Sequence, residues 1–331
     1  MNAEVFAEWL RCQGYRVAHT PSSYWYEASP HTYQAFPYHW TIQPSESELR
    51  EFLRENRAIA LRYSTPVGSP LGCISYHAVY EQPIYTIEGL DRRSRQNVRA
   101  GLANCSVEPI PFERLAEEGW ELETDTANRQ GRQVTTTKEV WRRRYMAAAD
   151  LPGFEAWGAL VDNRLVASLF IVQIDDWCEY ISQQCHRDYL NARVNNALTF
   201  VVTQTTLGRP GIKSIFYTLQ SLDAPASVDE FKFRMGYFAK PVRQRVVLHP
   251  LFVPFVNRFT YSGLVRLLRH APENYILAKG EGMLRMYLQG KRPLEQQNWP
   301  ECLTQSKTKS MEPQNLVERR EQSANVLLDE R

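Results

Sequence analysis

None of the six cysteines (Cys12, Cys73, Cys105, Cys178, Cys185 and Cys302) belongs to a C-x-x-C pair. The seven histidines form no H-E-x-x-H and no paired spacing with cysteine. No metal site is therefore expected. Thiols scattered in this way suit a reducing compartment. On one continuous strand Cys178 and Cys185 would face opposite sides, being an odd number of residues apart. Also missing are G-x-x-x-x-G-K-[ST], G-x-G-x-x-G and a nucleophile elbow, so P-loop, dinucleotide-fold and serine-hydrolase readings lack support. Charge of one sign is scarce: 39 Lys and Arg face 37 Asp and Glu, a net charge of +2. Any anion must meet a local cluster, and extensive contact with a nucleic acid is disfavoured. No apolar run is long enough to cross a bilayer. The start, Met1-Asn-Ala-Glu-Val, carries neither a basic leader nor an apolar core segment. These absences predict a cytoplasmic protein without a transmembrane segment.

What is there is a chain of 331 residues, 43% hydrophobic and 12% aromatic. That is enough for a large core divided between two lobes. The most informative stretch is 155–247. Apolar, β-branched runs at 155–161 and 164–174 are split by Asp162-Asn163, a dipeptide that tolerates the positive φ of a two-residue hairpin. A third strand follows at 177–185, then a polar loop over 186–192. Over 193–207, Val194, Ala197, Leu198, Val201, Val202 and Thr205 recur at helical spacing, and Gly208 stops the helix. Strands at 213–219 and 240–248 flank a short helix, opened by a capping box of Ser227 and Glu230 and ended by Gly236.

Before this stretch the pattern predicts a helix over 5–13 and an aromatic-rich strand and loop over 24–40. A helix capped by Ser45 and Glu48 and strands at 58–63 and 71–80 follow. The aromatic segment suits the lining of a cleft or, more plainly, the packing of a cover. Asp91 caps a helix to about 103. A short strand at 105–110, an acidic helix over 112–128 with a break near Gly119, and a helix capped by Thr136 and Glu139 complete the approach. After 250 the chain turns basic and amphipathic over 252–269, with a second helix over 272–288. That basic segment suits a helix packed across the sheet, the plainer reading, or contact with a membrane surface. From 305 onward the composition is that of a disordered tail.

Two motifs, Arg92-Arg-Ser-Arg-Gln-Asn-Val-Arg99 and Phe231-Lys-Phe-Arg-Met-Gly236, together with the element order, resemble the Fem-type (FemABX-like) aminoacyltransferases and acyltransferases of the GNAT superfamily. The resemblance covers about residues 82–248. It implies an α/β (α+β) fold: a GNAT-like mixed sheet flanked by helices, with a reduced N-terminal GNAT-like lobe. The divisions it implies are an N-terminal α/β lobe at 1–90, a catalytic domain at 91–250, a helical segment at 251–304 and a tail at 305–331. It also implies a V-shaped gap between the strands ending at Cys185 and Leu219. The activity implied is transfer of an activated acyl or aminoacyl group to an amine, in cell-envelope or polysaccharide biosynthesis. The alternative is a non-enzymatic binding or scaffold protein of the same fold.

Three groups of residues are candidates. Arg187, Asn191, Ala192 and Arg193 stand where GNAT enzymes hold the donor's pyrophosphate on backbone N–H groups at a helix N-terminus. Leu190 occupies the place of an expected glycine, which makes close approach of a phosphate harder. An ordinary strand-to-helix loop capped by Asn191 is the plain reading. Phe231 and Lys232 are implied to sit by the reacting carbonyl, with the ammonium stabilising the oxyanion; otherwise Lys232 is a surface lysine with a buried stem. Arg92, Arg95 and Arg99 share one helix face and, with Arg129 and Arg132, would form a cationic wall for an anionic acceptor; otherwise they are a solvated face offset by Glu88 and Glu108. Tyr180 is a cleft-facing candidate on the third strand. No tightly bound cofactor is expected. The co-substrate would be acyl-CoA or aminoacyl-tRNA, and the acceptor a small-molecule or sugar-nucleotide amine.

Overall fold

The computed structural model describes residues 2–131, 134, 136–220, 226–271 and 274–304. Its elements run α1 (Ala3–Cys12), β1 (Val17–His19), β2 (Tyr24–Ser29), β3 (Thr32–Phe36), α2 (Glu46–Glu55), β4 (Ala60–Thr65), β5 (Cys73–Tyr80), α3 (Arg92–Asn104), β6 (Ser106–Ile110), α4 (Phe112–Arg129) and α5 (Lys138–Ala149). They continue with β7 (Phe154–Val161), β8 (Arg164–Ile174), β9 (Trp177–Cys185), α6 (Val194–Leu207), β10 (Ser214–Leu219), α7 (Ala226–Arg234), β11 (Phe238–Leu248), α8 (Arg258–His270) and α9 (Tyr275–Gly290). The predicted tail at 305–331 and Arg132 lie outside the described residues.

Local chemistry explains most boundaries. Asp162 and Asn163 both have positive φ, 48° and 63°, as the tight turn between β7 and β8 requires. Asp91 caps α3 by accepting from the Ser94 N–H at 2.9 Å. Ser45 caps α2 by accepting from the Glu48 N–H, and the Glu48 carboxylate accepts from the Ser22 N–H and hydroxyl. Burial raises the Glu48 pKa, but these bonds and the Ser45 backbone N–H hold it down, the last as a capping box requires. The cap of α5 is Thr137, one residue beyond the expected Thr136. α7 starts at Ala226, so Ser227 lies within the helix rather than at its cap; its side chain lies outside the described residues. The expected break at Gly119 is absent, and α4 runs through it. A Cβ there would lie 2.7 Å from Leu115 Cδ1 and 3.0 Å from the Trp141 ring, so the glycine makes room for a packed indole rather than ending the helix.

All eleven strands form one mixed sheet in the order β1-β2-β3-β4-β11-β5-β10-β9-β8-β7-β6. From β1 to β7 this order is unchanged by exchanging β1 with β7, β2 with β8, β3 with β9, β4 with β10 and β5 with β11. Each half is a hairpin, a helix (α2 or α6) and a parallel strand, followed by a strand that crosses to the other half. The crossing strands β5 and β11 meet as an antiparallel pair at the centre.

One face of the C-terminal half packs Leu169, Ile171 and Ile215 against Val194, Leu198 and Val202 of α6. The other packs Phe154, Phe170 and Val172 against Trp9, Trp141 and Tyr145. In the N-terminal half Trp25, Tyr33, Leu61 and Tyr63 close on Leu49, Phe52 and Leu53 of α2. The aromatics of β2 and β3 are therefore packing residues. Each fully buried side chain of this size contributes about 1.5–3 kcal/mol. At the C-terminal end α9 covers the sheet through Met286 and Tyr287 against Val246, and the segment after it through Trp299 and Leu303 against Ile74 and Tyr76. α8 leans on α9 and buries no residue fully. Among the described residues no helix is long and apolar enough to cross a membrane.

Candidate active site

β9 and β10 pair in parallel for only three residues, Trp177, Cys178 and Glu179 against Ser214, Ile215 and Phe216. Beyond that point β9 stays with β8 as far as Cys185, and β10 stays with β5 as far as Leu219. The two strands therefore splay, and the edge of β9 that would have met β10 has no strand partner from Tyr180 onward. Both strands shift register where they part: β9 between Tyr180 and Ser182, β10 between Phe216 and Thr218. Such bulges bend a strand and re-aim its side chains. The one in β9 also reverses the alternation after Ile181. Cys178 and Cys185 consequently lie in the same core, against the expectation of opposite faces. All six cysteines are free thiols.

The splay opens a cavity of about 720 Å³. Tyr180, Gln183, Tyr217, Phe231, Lys232, Arg129 and Arg144 are among the residues that line it. A hydrogen-bond lattice fixes the tyrosines. The Tyr180 hydroxyl lies 2.9 Å from Thr203 Oγ1 on α6, which lies 2.7 Å from the Tyr237 hydroxyl. Tyr217 donates to Gln183 Oε1, and the Gln183 amide donates to Asn195 and Thr199 at 3.0 and 2.9 Å. Burial pushes the phenols of Tyr180, Tyr217 and Tyr237 well up from their ordinary value. At neutral pH they are protonated, so they position and donate but do not act as bases.

Lys232 is 7% exposed. Its ammonium lies 2.6 Å from Asp229 Oδ1 and 5.5 Å from the centre of the Tyr217 ring. Asp229 in turn accepts from the Tyr76 hydroxyl. Lys232 is thus a held cation at the cavity wall, not a surface lysine. Phe231 packs into the core beside it. The Arg144 guanidinium lies 5.7 Å from the Trp9 ring and 5.8 Å from the Tyr145 ring. Its Nε is buried without a hydrogen-bond partner, and among the described residues no carboxylate forms an ion pair with it, although Glu123 of the same cavity acts on its charge. A cation in that state attracts an anionic group to the cavity.

FemX aligns over 75% of this chain and 92% of its own, at 10% identity and a TM-score of 0.53. The chain has a FemX-like fold. L-PGS from Bacillus licheniformis aligns over 75% of this chain and 91% of its own (10% identity, TM-score 0.48). A tandem GNAT protein from the clavulanic acid biosynthesis pathway aligns over 70% and 82% (12% identity, TM-score 0.44). At the level of sequence, no protein-family model and no curated protein matches the chain.

Within the Fem-like fold the expected site residues separate. Lys232, Phe231 and Tyr180 come together at the cavity. Arg187, Asn191, Ala192 and Arg193 form the loop before α6, with Arg187 held by Asp125 through its backbone N–H and Nε. The left-handed residue of this loop is Arg193, φ 62°, whereas Leu190 is right-handed helical with its side chain at the cavity. Asn191 does not cap α6, whose N-terminus has no side-chain cap. Arg92, Arg95 and Arg99 are not among the residues lining the cavity. Arg95 folds back onto the carbonyls of Glu88 and Leu90, while Arg92 and Arg99 are exposed. Of the expected cationic wall only Arg129, on α4, is among the cavity's described lining residues, and it is joined there by Arg144 of α5. Sequence reading missed Arg144 because it sits in the Arg142-Arg-Arg144 run, and nothing in the run shows which member turns inward.

Proposed function

We propose that the protein is an N-acyltransferase that moves an activated acyl or aminoacyl group to an amine. The observation that carries this reading is the splay of β9 and β10, which sets an unpaired backbone edge, Lys232 and the protonated tyrosines around one hollow. The donor carbonyl lies along that edge near the Lys232 ammonium. The acceptor amine attacks the carbonyl carbon, and the C=O π pair moves onto oxygen. Backbone N–H groups and Lys232 stabilise that oxyanion. Its collapse breaks the bond to the leaving thiol or hydroxyl, which takes up the proton lost by the amine. Holding both partners in one hollow supplies the remaining advantage. The loop of Arg187, Asn191, Ala192 and Arg193 holds the phosphate end of acyl-CoA or aminoacyl-tRNA. Arg144 and Arg129 take the anionic part of the acceptor, for which sugar-nucleotide amines of cell-envelope or polysaccharide biosynthesis are the first candidates.

The test is a thermal-shift and transfer screen of the full chain against acyl-CoA thioesters, aminoacyl-tRNA and sugar nucleotides. A ligand present at about 100 times its Kd adds roughly 2.7 kcal/mol of apparent stability. The expected result is a shift with one donor class and one acceptor class, with the acceptor shift lost in Arg144→Met and transfer observed when both are present. Absence of a shift with every donor class overturns the proposal. Leu190, standing where a phosphate-cradling glycine is expected, favours a second reading, a binding protein of the same fold. Ligand shifts without any transfer would select it.

A further inference from the structure

We propose that α8 and the turn before it form a docking surface for a membrane leaflet carrying anionic lipid. This part of the chain leaves its largest apolar side chains in solvent. Phe259 is 88% exposed, Leu251 72%, Phe255 69% and Leu267 60%. Soluble surfaces carry such residues singly; a contiguous set marks an interaction site. Helix geometry orders them. At 100° per residue, Tyr261, Leu264, Val265 and Leu268 form the stripe that faces α9, and all four are partly buried. Phe259, Arg266 and His270 fall on the opposite side, with Leu267 and Arg269 at its flanks. The preceding turn adds Phe255 next to the helix start.

Charge identifies the occupant. Between 251 and 271 the chain has three arginines, Arg258, Arg266 and Arg269, and no Asp or Glu. All three are exposed, and among the described residues none pairs with a carboxylate. A second copy of the chain docking here about a twofold axis would set like charges against each other without compensation. A basic partner is excluded on the same ground. An anionic lipid surface fits both parts: aromatic and leucine side chains enter the interfacial zone, and guanidinium groups meet lipid phosphates. Anchoring of this kind lies flat on the leaflet and requires no spanning segment.

The experiment is flotation of the full chain with phosphatidylcholine vesicles, with and without phosphatidylglycerol, at low and high salt. The expected result is binding that requires phosphatidylglycerol and weakens with salt. Phe255→Ser with Phe259→Ser should weaken it at least about tenfold, because each phenylalanine loses its apolar transfer. Arg258→Gln, Arg266→Gln and Arg269→Gln together should weaken it about a hundredfold, from roughly fivefold for each charge. All these side chains are exposed, so melting temperature and helix content should match the wild type. No flotation with phosphatidylglycerol, equal flotation with both vesicle types, or unchanged flotation of both variants overturns the proposal. A concentration-dependent dimer dissolved by the phenylalanine substitutions also overturns it, assigning the surface to a second copy.

Discussion

Replacing Gly101 by alanine tests the packing that positions the donor loop. Gly101 lies in α3, buried against the start of α6. A Cβ there would be 2.4 Å from the Arg193 carbonyl oxygen, 2.9 Å from Ala197 Cβ and 3.1 Å from the Ala197 nitrogen. Two effects oppose each other. Alanine in a helix interior is favoured over glycine by about 1 kcal/mol. Against this, the contacted atoms are two backbone atoms and a Cβ, none of which can rotate away, so the helices must separate. Overpacking of this kind costs about 1–3 kcal/mol, and the contact here is at the severe end. The net should be a loss of about 1–2 kcal/mol, or roughly 1.5–3 °C in Tm for a chain of this size. Gly263 in α8 is the control, because a Cβ there meets nothing within 4 Å. Gly263→Ala should therefore show the propensity gain alone, about 1 kcal/mol. The assay is calorimetric melting of both variants beside the wild type. Gly101→Ala should also lose part of any donor-induced shift, since the clash falls on Arg193, where the loop joins α6. A Gly101→Ala protein that melts at or above the wild type would refute the close approach of α3 and α6.

Three other outcomes follow from the site and the core. Lys232→Met should lower single-turnover transfer about 10²–10³-fold with little change in donor affinity, if its ammonium serves the oxyanion; a rate within about twofold of the wild type removes that role. His77, buried and 2.8 Å from Ser64 Oγ, has its pKa pushed down to about 3, first by burial and then by His39 and Lys240. The unfolded chain therefore takes up this proton first, so the contribution is complete above about pH 6.5 and is lost as pH falls toward 3. His77→Gln should flatten the fall of unfolding free energy with acid by up to about 1.4 kcal/mol per pH unit in that window; an unchanged slope in urea titrations contradicts it. Thiol labelling should be selective. Cys12 is exposed and should react in the native state. Cys185, whose thiol burial pushes up to about 12, and buried Cys178 should react only after denaturation; early labelling of either refutes the packing around β9.

The parts of the fold that were legible in the sequence are those set by local chemistry. The Asp162-Asn163 turn, the Asp91 cap and the α6 helix each follow from one stretch of chain, and each appears in the structure, although Thr205 of the expected α6 stripe is exposed and the helix is buried on more than one face. Decisions made by distant residues were not legible. Gly119 looks like a helix break until Trp141 is packed on it. A β-bulge adds a residue without a composition of its own, so the shared face of Cys178 and Cys185 was hidden. The site divides in the same way. Phe231, Lys232 and Tyr180, expected from motif and strand position, line the hollow. Arg144 was not, because its significance lies in a buried Nε without a partner.

The exchange symmetry of the sheet bears on why one hollow was available for a site. β3 and β4, the counterparts of β9 and β10, also pair in parallel over only three residues, Thr32–Ala60 to Gln34–Arg62. A second gap should therefore open in the N-terminal half. It does not stay open, because the chain after β3 folds back into it. The Ile42 N–H bonds to the Ser64 carbonyl at 2.9 Å, and Ile42 packs with Trp25 and Leu61. The same segment reaches across to the other half. His39 holds buried Glu179 through its backbone N–H and Nδ1, at 2.8 and 2.7 Å, and stacks on Trp177. Glu179 is the last residue of β9 paired with β10 before the strands part. The filled gap thus has a structural use: its plug braces the point at which the open gap begins. Shortening the 37–42 segment should therefore release β9 as well as uncover β4, lowering Tm and exposing the backbone amides around Glu179 to hydrogen exchange together with those of β4; protection of β9 left unchanged would contradict the bracing.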